Sequence, residues 1–422
     1  MKMLRMIGAA LIIGMCLIAL QAADFPQWRG FRRDGIAQEN GLLREWPLEG
    51  PKLIWQITDI GDGYGAPAVA GERIYLLSST GIDDEFVQAL SVKDGKRIWA
   101  TSLGKVGNPD QKPPYPKARS TPSLDGRFLY ALSSEGDLAC LEAATGKALW
   151  RKSLRKDFGG KPGIWAYAES PLIDGDAVVV TPGGSEATLV ALNKKTGAII
   201  WKSAVPGGDP AGYSSIIAVD AAGLRQYVQF LEKGLVGVDA KTGKFLWRYS
   251  EIAGSPANMP TPVVRGSYVY NTNPRRPAAA LVQLKPSSDG VVAEQVYLLR
   301  GLPNDIGGSV LAGDYLYGTN TDEGLVAVEF TTGKVRWKAE SIGSGSLLCA
   351  DGLLYLHGEN GDVALVEAMP DQYREKGRFT PPNQPKHPGG PMEKAWSYPV
   401  IANGRLYVRD LNSLWCYQIG GR

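Results

Sequence analysis

The side chains best suited to chemistry lie on short polar stretches spread through the chain. They are Asp62-Gly63-Tyr64-Gly65, Tyr115 through Arg119, Trp165-Ala166-Tyr167-Ala168-Glu169, Tyr213-Ser214-Ser215, Asn258 and Asn304-Asp305. A guanidinium, a carboxylate and several rings converging from separate loops can grip a planar or anionic ligand, or a peptide. The expected ligand-binding set is therefore Tyr64, Arg119, Trp165, Tyr167, Glu169, Tyr213, Asn258 and Asn304, with Arg119 and Glu169 foremost. The competing reading is that these groups pair with one another or face water. Glu169 and Asn258 together would offer oxygen ligands to calcium, but two residues do not make a coordination sphere. A general base needs a tuned pKa and a substrate within reach of its proton, and neither can be read from the residues. No catalytic residue and no metal ligand is assigned. His357 and His387 stand alone and no CxxC occurs, which leaves a zinc site or a histidine triad without support.

What must position these loops is a repeat. A Gly preceded by Thr or Asp is followed four residues later by Trp at Gly95/Trp99, Gly146/Trp150, Gly197/Trp201, Gly243/Trp247 and Gly333/Trp337. Trp55 precedes the series, and successive Trp steps after Trp99 are 51, 51, 46 and 90 residues. A period of this size marks units that bury their apolar faces only against neighbours. Within a period, short apolar runs alternate with Gly-bearing turns, as in Phe128-Leu129-Tyr130-Ala131-Leu132, Glu135-Gly136, Leu138-Ala139-Cys140-Leu141 and Thr145-Gly146-Lys147. This is a meander of antiparallel strands, four to a unit, and describes propeller blades.

The 90-residue step holds a worn copy in which Glu294 takes the place of Trp, 47 residues after Trp247 and 43 before Trp337. The next interval carries a polar, proline-rich insertion around 369–392 before Trp396. The last unit, ending at Leu414-Trp415-Cys416-Tyr417, is one strand short, and Lys52-Leu53-Ile54-Trp55 has the character of the missing strand. The expected fold is all-β: an eight-bladed propeller of four-stranded antiparallel blades closed by an N-terminal strand. Seven blades follow instead if the worn copy is a long excursion. The structural repeat set is Trp55, Trp99, Trp150, Trp201, Trp247, Trp337 and Trp396, placed between adjacent sheets, where an indole offers apolar area and an N–H that needs a partner.

The 422 residues include 52 Gly and 28 Pro, which suits a turn-rich β protein in one domain over 50–422. Residues 1–22 read as a signal peptide: Lys2 and Arg5 precede the apolar run 7–20. A retained anchor is the alternative, although the run is short for a span. Periplasmic or secreted localisation follows, with residues 23–49 as an extension packed on the propeller. Without Lys2 and Arg5 the formal charge falls from +3 to near +1, which gives no nucleic-acid surface. Cys140, Cys349 and Cys416 are expected as small buried thiols.

The Gly-to-Trp phrase, the aromatic strand before it, Phe25-Pro26-Gln27-Trp28-Arg29-Gly30, Trp46-Pro47 and Gly50-Pro51 together resemble secreted members of the pyrroloquinoline-quinone-like (PQQ-like) propeller superfamily. The resemblance covers nearly all of 50–420. One branch, the quinoprotein alcohol dehydrogenases, implies PQQ, usually calcium, and an Asp base. This chain lacks the adjacent Cys-Cys pair of many members and has no Asp that matches the base. The other branch, the BamB-type outer-membrane assembly lipoproteins, implies a compact propeller without redox chemistry, though no convincing lipoprotein box is present at Cys16. The expected function is a non-enzymatic envelope scaffold for a protein or other ligand, with no cofactor. The alternative is a PQQ- and calcium-dependent dehydrogenase of alcohols or aldose sugars.

Overall fold

The computed structural model describes residues 24–254, 257–274, 278–288, 290–303, 305–320 and 322–421. The signal-peptide expectation for 1–22 lies outside them. Among the described residues the chain forms eight antiparallel sheets of four strands in a ring, numbered here as blades 1–8 from Ala68 onward. Blade 1, for example, runs through Ala68–Ala70, Arg73–Thr80, Asp84–Ser91 and Arg97–Gly104, from the channel outward. Second and third strands are apolar on both faces because each sheet is sandwiched between two others. Leu189–Asn193 is buried along nearly its whole length. Outer strands alternate exposed and half-buried residues, as in Arg97–Gly104.

Lys52–Ile57 pairs antiparallel with Ser413–Gln418 and supplies the outer strand of blade 8. The two ends of the propeller chain thus close the ring by backbone hydrogen bonds, and the seam needs no unpaired edge. Arg409, wholly buried, reinforces it. Its guanidinium donates to Leu411 O of blade 8 and to Gly65 O, Leu77 O and Ser78 Oγ of the blade 1 side.

The Gly-to-Trp phrase is a joint between neighbours. The indole N–H of Trp55, Trp99, Trp150 and Trp201 donates across to Val92 O, Ala143 O, Lys194 O and Ala240 O, at 3.0–3.1 Å. Each acceptor lies three residues before the Gly of the next blade's turn. That Gly has φ near +70° and lies under the same indole. A Cβ on Gly146 would come 2.5 Å from the Trp99 ring, and one on Gly197 2.9 Å from Trp150. The phrase therefore needs Gly twice, for a left-handed turn and for close approach. Second-strand tyrosines complete the contact, with Tyr75–Trp99, Tyr130–Trp150 and Tyr317–Trp337 each at 6.1 Å between centroids.

Strand register corrects three expectations. In blade 5 the position equivalent to Trp is Tyr297, not Glu294. Tyr297 lies opposite Leu281 beside the same bulge that sets Trp99 opposite Ala89, and its hydroxyl donates to Phe330 O at 3.0 Å. Glu294 faces outward and pairs with Lys285. The spacing was displaced because this hairpin has two ten-residue strands. In blade 7 the outer strand is Glu375–Phe379, inside the presumed insertion, and Gly377 holds the Trp position. Trp46 of the N-terminal extension fills the space above it, 2.6 Å from a Cβ built on Gly377. Trp396 consequently lies in no strand and belongs to the connector between blades 7 and 8. Trp247 also departs from the pattern: lacking a Thr-Gly turn in blade 5, it donates to Gln226 Oε1 of its own blade.

Gly126 and Gly146 separate the two demands on glycine. Gly126 has φ +57° and open space around its Cβ position, so Gly126→Ala should cost only the backbone strain, about 1 kcal/mol. Gly146→Ala adds displacement of the Trp99 ring and should melt several degrees lower than Gly126→Ala in thermal unfolding. Equal midpoints would show that the ring contact contributes nothing.

Candidate functional site

In a four-stranded meander, the connectors that lead into the inner strands share one end of the ring with the second-to-third turns. The Thr-Gly turns share the other. Residues 58–67, 105–122, 154–171, 204–216, 250–254, 257–262 and 380–399 all lie on that connector end, and side-chain contacts link five of these connectors, 58–67, 105–122, 154–171, 204–216 and 380–399, round the mouth. Trp396 donates to Glu359 Oε1 and packs edge-on against Tyr64 and Tyr115, at 5.1 and 5.6 Å. Arg119 and Lys117 both lie over the Tyr64 ring, at 5.2 and 5.6 Å. Arg119 also donates to Gln111 Oε1 and Tyr115 O. Trp165 reaches Lys112 O with its indole and stacks with Tyr213 at 5.3 Å.

Of the expected binding set, Tyr64, Arg119, Trp165 and Tyr213 share this mouth. Tyr167, Glu169 and Asn258 come from the same connectors but point into the blades. Tyr167 is a core residue donating to Pro182 O. Glu169 is buried and accepts from Thr181 N, Thr181 Oγ1 and Gln229 Nε2. Asn258 donates to Leu231 O and Glu232 O and accepts from Asn273. The carboxylate and amide considered for calcium are thus committed to different partners. Asn304 lies outside the described residues.

Sequence reasoning missed the strongest charge pair of the mouth. Glu393 is buried and takes Lys117 Nζ at 2.7 Å, Gly389 N at 2.7 Å and the Tyr64 hydroxyl. Burial alone would raise its pKa; the hydrogen bonds from Lys117, Tyr64 and Gly389 outweigh that and hold the carboxyl below its ordinary value. Glu393 gave no signal because it sits in a polar, proline-rich segment that reads as solvated loop. His387 brackets it, with Nδ1 against Glu393 O at 2.9 Å and Nε2 against Asp410 at 2.8 Å. The hydrogen bond to Asp410 raises His387 against the opposing effect of burial. Burial lowers Arg119, an effect opposed by Tyr64, Tyr213, Glu85 and Glu393 around it.

From the Thr-Gly end, residues 24–37 enter the channel. Asp24 accepts from the blade 1 turn at Gly71, and Phe25 pairs with Val69. Trp28 donates to Thr261, Arg29 to Ser309 O, and Arg33 to Ser170 O and Pro171 O. Ile36–Ala37 returns parallel to the inner strand of blade 7. A cavity of about 10 Å³ remains between Phe25, Trp28, Arg29 and Tyr398, roughly room for one water. A tricyclic quinone needs a few hundred Å³, so it does not fit this cavity, which the chain's own aromatic and guanidinium side chains fill. An open cavity of about 460 Å³ lies at the connector end beside Thr58, Asp62, Lys386 and Ser413.

Glu85 and Glu169, buried beneath the mouth, are both pushed up from 4.5 to about 7 by desolvation. A carboxyl with a raised folded pKa binds its proton more tightly when folded. Its contribution is complete below about pH 4.5 and is lost as pH rises through 7. Glu169→Gln removes one such proton, so the stability difference between wild type and variant should shrink steadily from pH 4.5 to 7. Melting curves across that range check this; a pH-independent difference would place the Glu169 pKa near its ordinary value.

The model of a family described as outer membrane protein assembly factor BamB matches residues 36–111 and 83–339. Tetrathionate hydrolase of Acidithiobacillus ferrooxidans is 25% identical over 196 residues, covering 41% of this chain and 35% of that protein. BamB of Shewanella oneidensis is 24% identical over 198 residues, 46% and 44% of the two chains. Quinoprotein alcohol dehydrogenase PedH of Pseudomonas putida is 27% identical over 169 residues, 40% and 25%. The match spans less than half the length of each relative. Among solved structures, BamB from Moraxella catarrhalis superposes with TM-score 0.61 at 17% identity, covering 88% of this chain and 98% of that one. Quinohemoprotein alcohol dehydrogenase from Comamonas testosteroni gives 0.63 at 11%, covering 95% and 81%. At these identities the structures share the fold.

Proposed function

This chain belongs to the family of the outer membrane protein assembly factor BamB, and on that footing we propose that it is a non-enzymatic docking propeller of the cell envelope. Its partner is a protein, held at the connector end of the ring. The observation that carries this reading is the filled channel. Phe25, Trp28, Arg29 and Arg33 occupy the channel and are tied to blades on several sides. Exposed Ile82, Ile164 and Met392 on the surrounding turns and connectors add apolar surface to that end. Docking surfaces combine such apolar groups with aromatic and Arg anchors, and the mouth supplies Tyr64, Tyr213, Trp165 and Arg119.

Periplasmic or secreted localisation is part of the same proposal. Its basis is the basic-then-apolar segment 1–22 and the family relationship. No helix among the described residues is long and apolar enough to cross a membrane.

The competing reading is a PQQ-dependent dehydrogenase, favoured by the stretch shared with PedH. Incubation of the purified chain with PQQ and calcium, followed by dye reduction with alcohols and aldose sugars, separates the two. The expected outcome is no saturable turnover and no PQQ-dependent rise in melting temperature. Cross-linking in native envelope material is expected to recover a discrete protein partner. Turnover that disappears in Arg119→Ala would overturn the docking proposal.

A further inference from the structure

Glu393 and Trp396 are held like a ligand. The groups that receive them belong to two other connectors, 58–67 and 105–122: Lys117 Nζ and the Tyr64 hydroxyl take the carboxylate, and Tyr64 and Tyr115 flank the indole. Those two connectors are fixed to each other and to blade 1 without help from 380–399. Tyr64 N donates to Ala118 O at 2.9 Å, Gly63 bridges Ala118, and Asp62 exchanges backbone bonds with Ser79. Gly65 approaches so closely that a Cβ would lie 2.2 Å from Ser120 O. The receiving side is therefore preformed.

The 380–399 connector makes few backbone bonds to the rest of the molecule. Its backbone bonds at Gly390 and Glu393 close on His387 and Gly390 within the connector, and Ala395 N reaches Glu359 O only at 3.2 Å. Its remaining ties are mainly through side chains, such as Trp415 to Pro382 O and His387 to Asp410. Segments held this way open locally at a fraction of the global unfolding cost. When it lifts, a buried carboxylate leaves a lysine and an aromatic pair behind. Arg119, over the same Tyr64 ring, already carries a buried Nε without a hydrogen-bond partner among the described residues. Asp62 and Glu85 are the acidic groups nearby, and burial raises the pKa of both, Glu85 accepting from Ser134.

The geometry points to a peptide-binding cleft between connectors 58–67 and 105–122. It takes a segment of a partner protein that carries an acidic residue with an aromatic residue three positions later, and Glu393 and Trp396 occupy it in the closed state. This rests on the protein-docking reading above and names the surface and the partner chemistry. Displacement exchanges one carboxylate–lysine pair and one aromatic insertion for an equivalent set, so no buried charge is left unpaired. Binding then competes with an intramolecular occupant, so the apparent affinity is the intrinsic affinity multiplied by the open fraction.

A fluorescent peptide with the sequence of residues 389–398 is the probe, titrated by anisotropy against the full chain. The double variant Glu393→Gln/Trp396→Ala is expected to bind it at least about ten-fold more tightly than wild type. His387→Ala, which loosens the connector without touching the cleft, should fall between. Replacing the peptide's Glu by Gln, or adding Lys117→Met to the double variant, should weaken binding by about ten-fold or more. Equal affinity in wild type and opened variants, or binding indifferent to Lys117, overturns the proposal. Should the double variant fail to fold, His387→Ala carries the comparison and an absent gain there overturns it. Envelope cross-links that capture a partner away from this cleft sink this inference while leaving the docking reading intact.

Discussion

The architecture depends on one contact repeated around the ring: an aromatic side chain on an outer strand, lying on a glycine of the next blade and donating to a carbonyl three residues before it. A single sheet here cannot bury both faces, so each blade is stable only through its neighbours. The indole supplies apolar area and satisfies its N–H in one placement, and glycine permits the close approach. Where the repeat is altered, a different solution preserves the joint. Tyr297 replaces the indole in blade 5 with a phenol that reaches Phe330 O, and Trp46 covers Gly377 in blade 7 from the N-terminal extension.

Closure of the ring creates the second constraint, a central channel lined by short inner strands. That channel is filled from one end by residues 24–37, and part of its other mouth is covered by 380–399. Both segments bring aromatic and charged side chains to backbone carbonyls and carboxylates of several blades. The result ties distant blades together at the axis while the indole joints tie adjacent ones at the rim. A propeller built this way keeps its chemistry-bearing groups on the connector end.

Buried charge in this molecule is used as connection. Arg409 and Arg33 lose solvation and recover hydrogen bonds to carbonyls of neighbouring elements, and burial pushes both below their ordinary range. Glu169 is pushed up to about 7 and is still satisfied by Thr181 and Gln229. The Lys117–Glu393 pair differs because its two halves come from connectors that are separately anchored. A buried pair of this kind specifies where a segment sits more than it adds to stability. That is why the same position serves as a recognition element when the segment moves.

The sequence by itself determined the repeat and the clasp strand at Trp55 and favoured eight blades over seven, because glycine turns and apolar runs are local and periodic. It also singled out the connectors that share the mouth, and Tyr64, Arg119, Trp165 and Tyr213 on them. Only the tertiary structure decided which polar side chains point outward. Tyr167, Glu169 and Asn258 share the composition of a binding loop, yet they are consumed by Pro182, Thr181, Leu231 and Asn273, residues remote enough that no spacing announces them. Register was decided the same way, since a longer hairpin moved the joint from Glu294 to Tyr297 and an added strand returned Trp396 to the mouth. Glu393 and Lys117 are 276 residues apart, and burial of both together is a property of ring closure, which brings blade 8 against blade 1. Periodic contacts can be read along a chain, but contacts made once, across the axis, appear only when the ring closes.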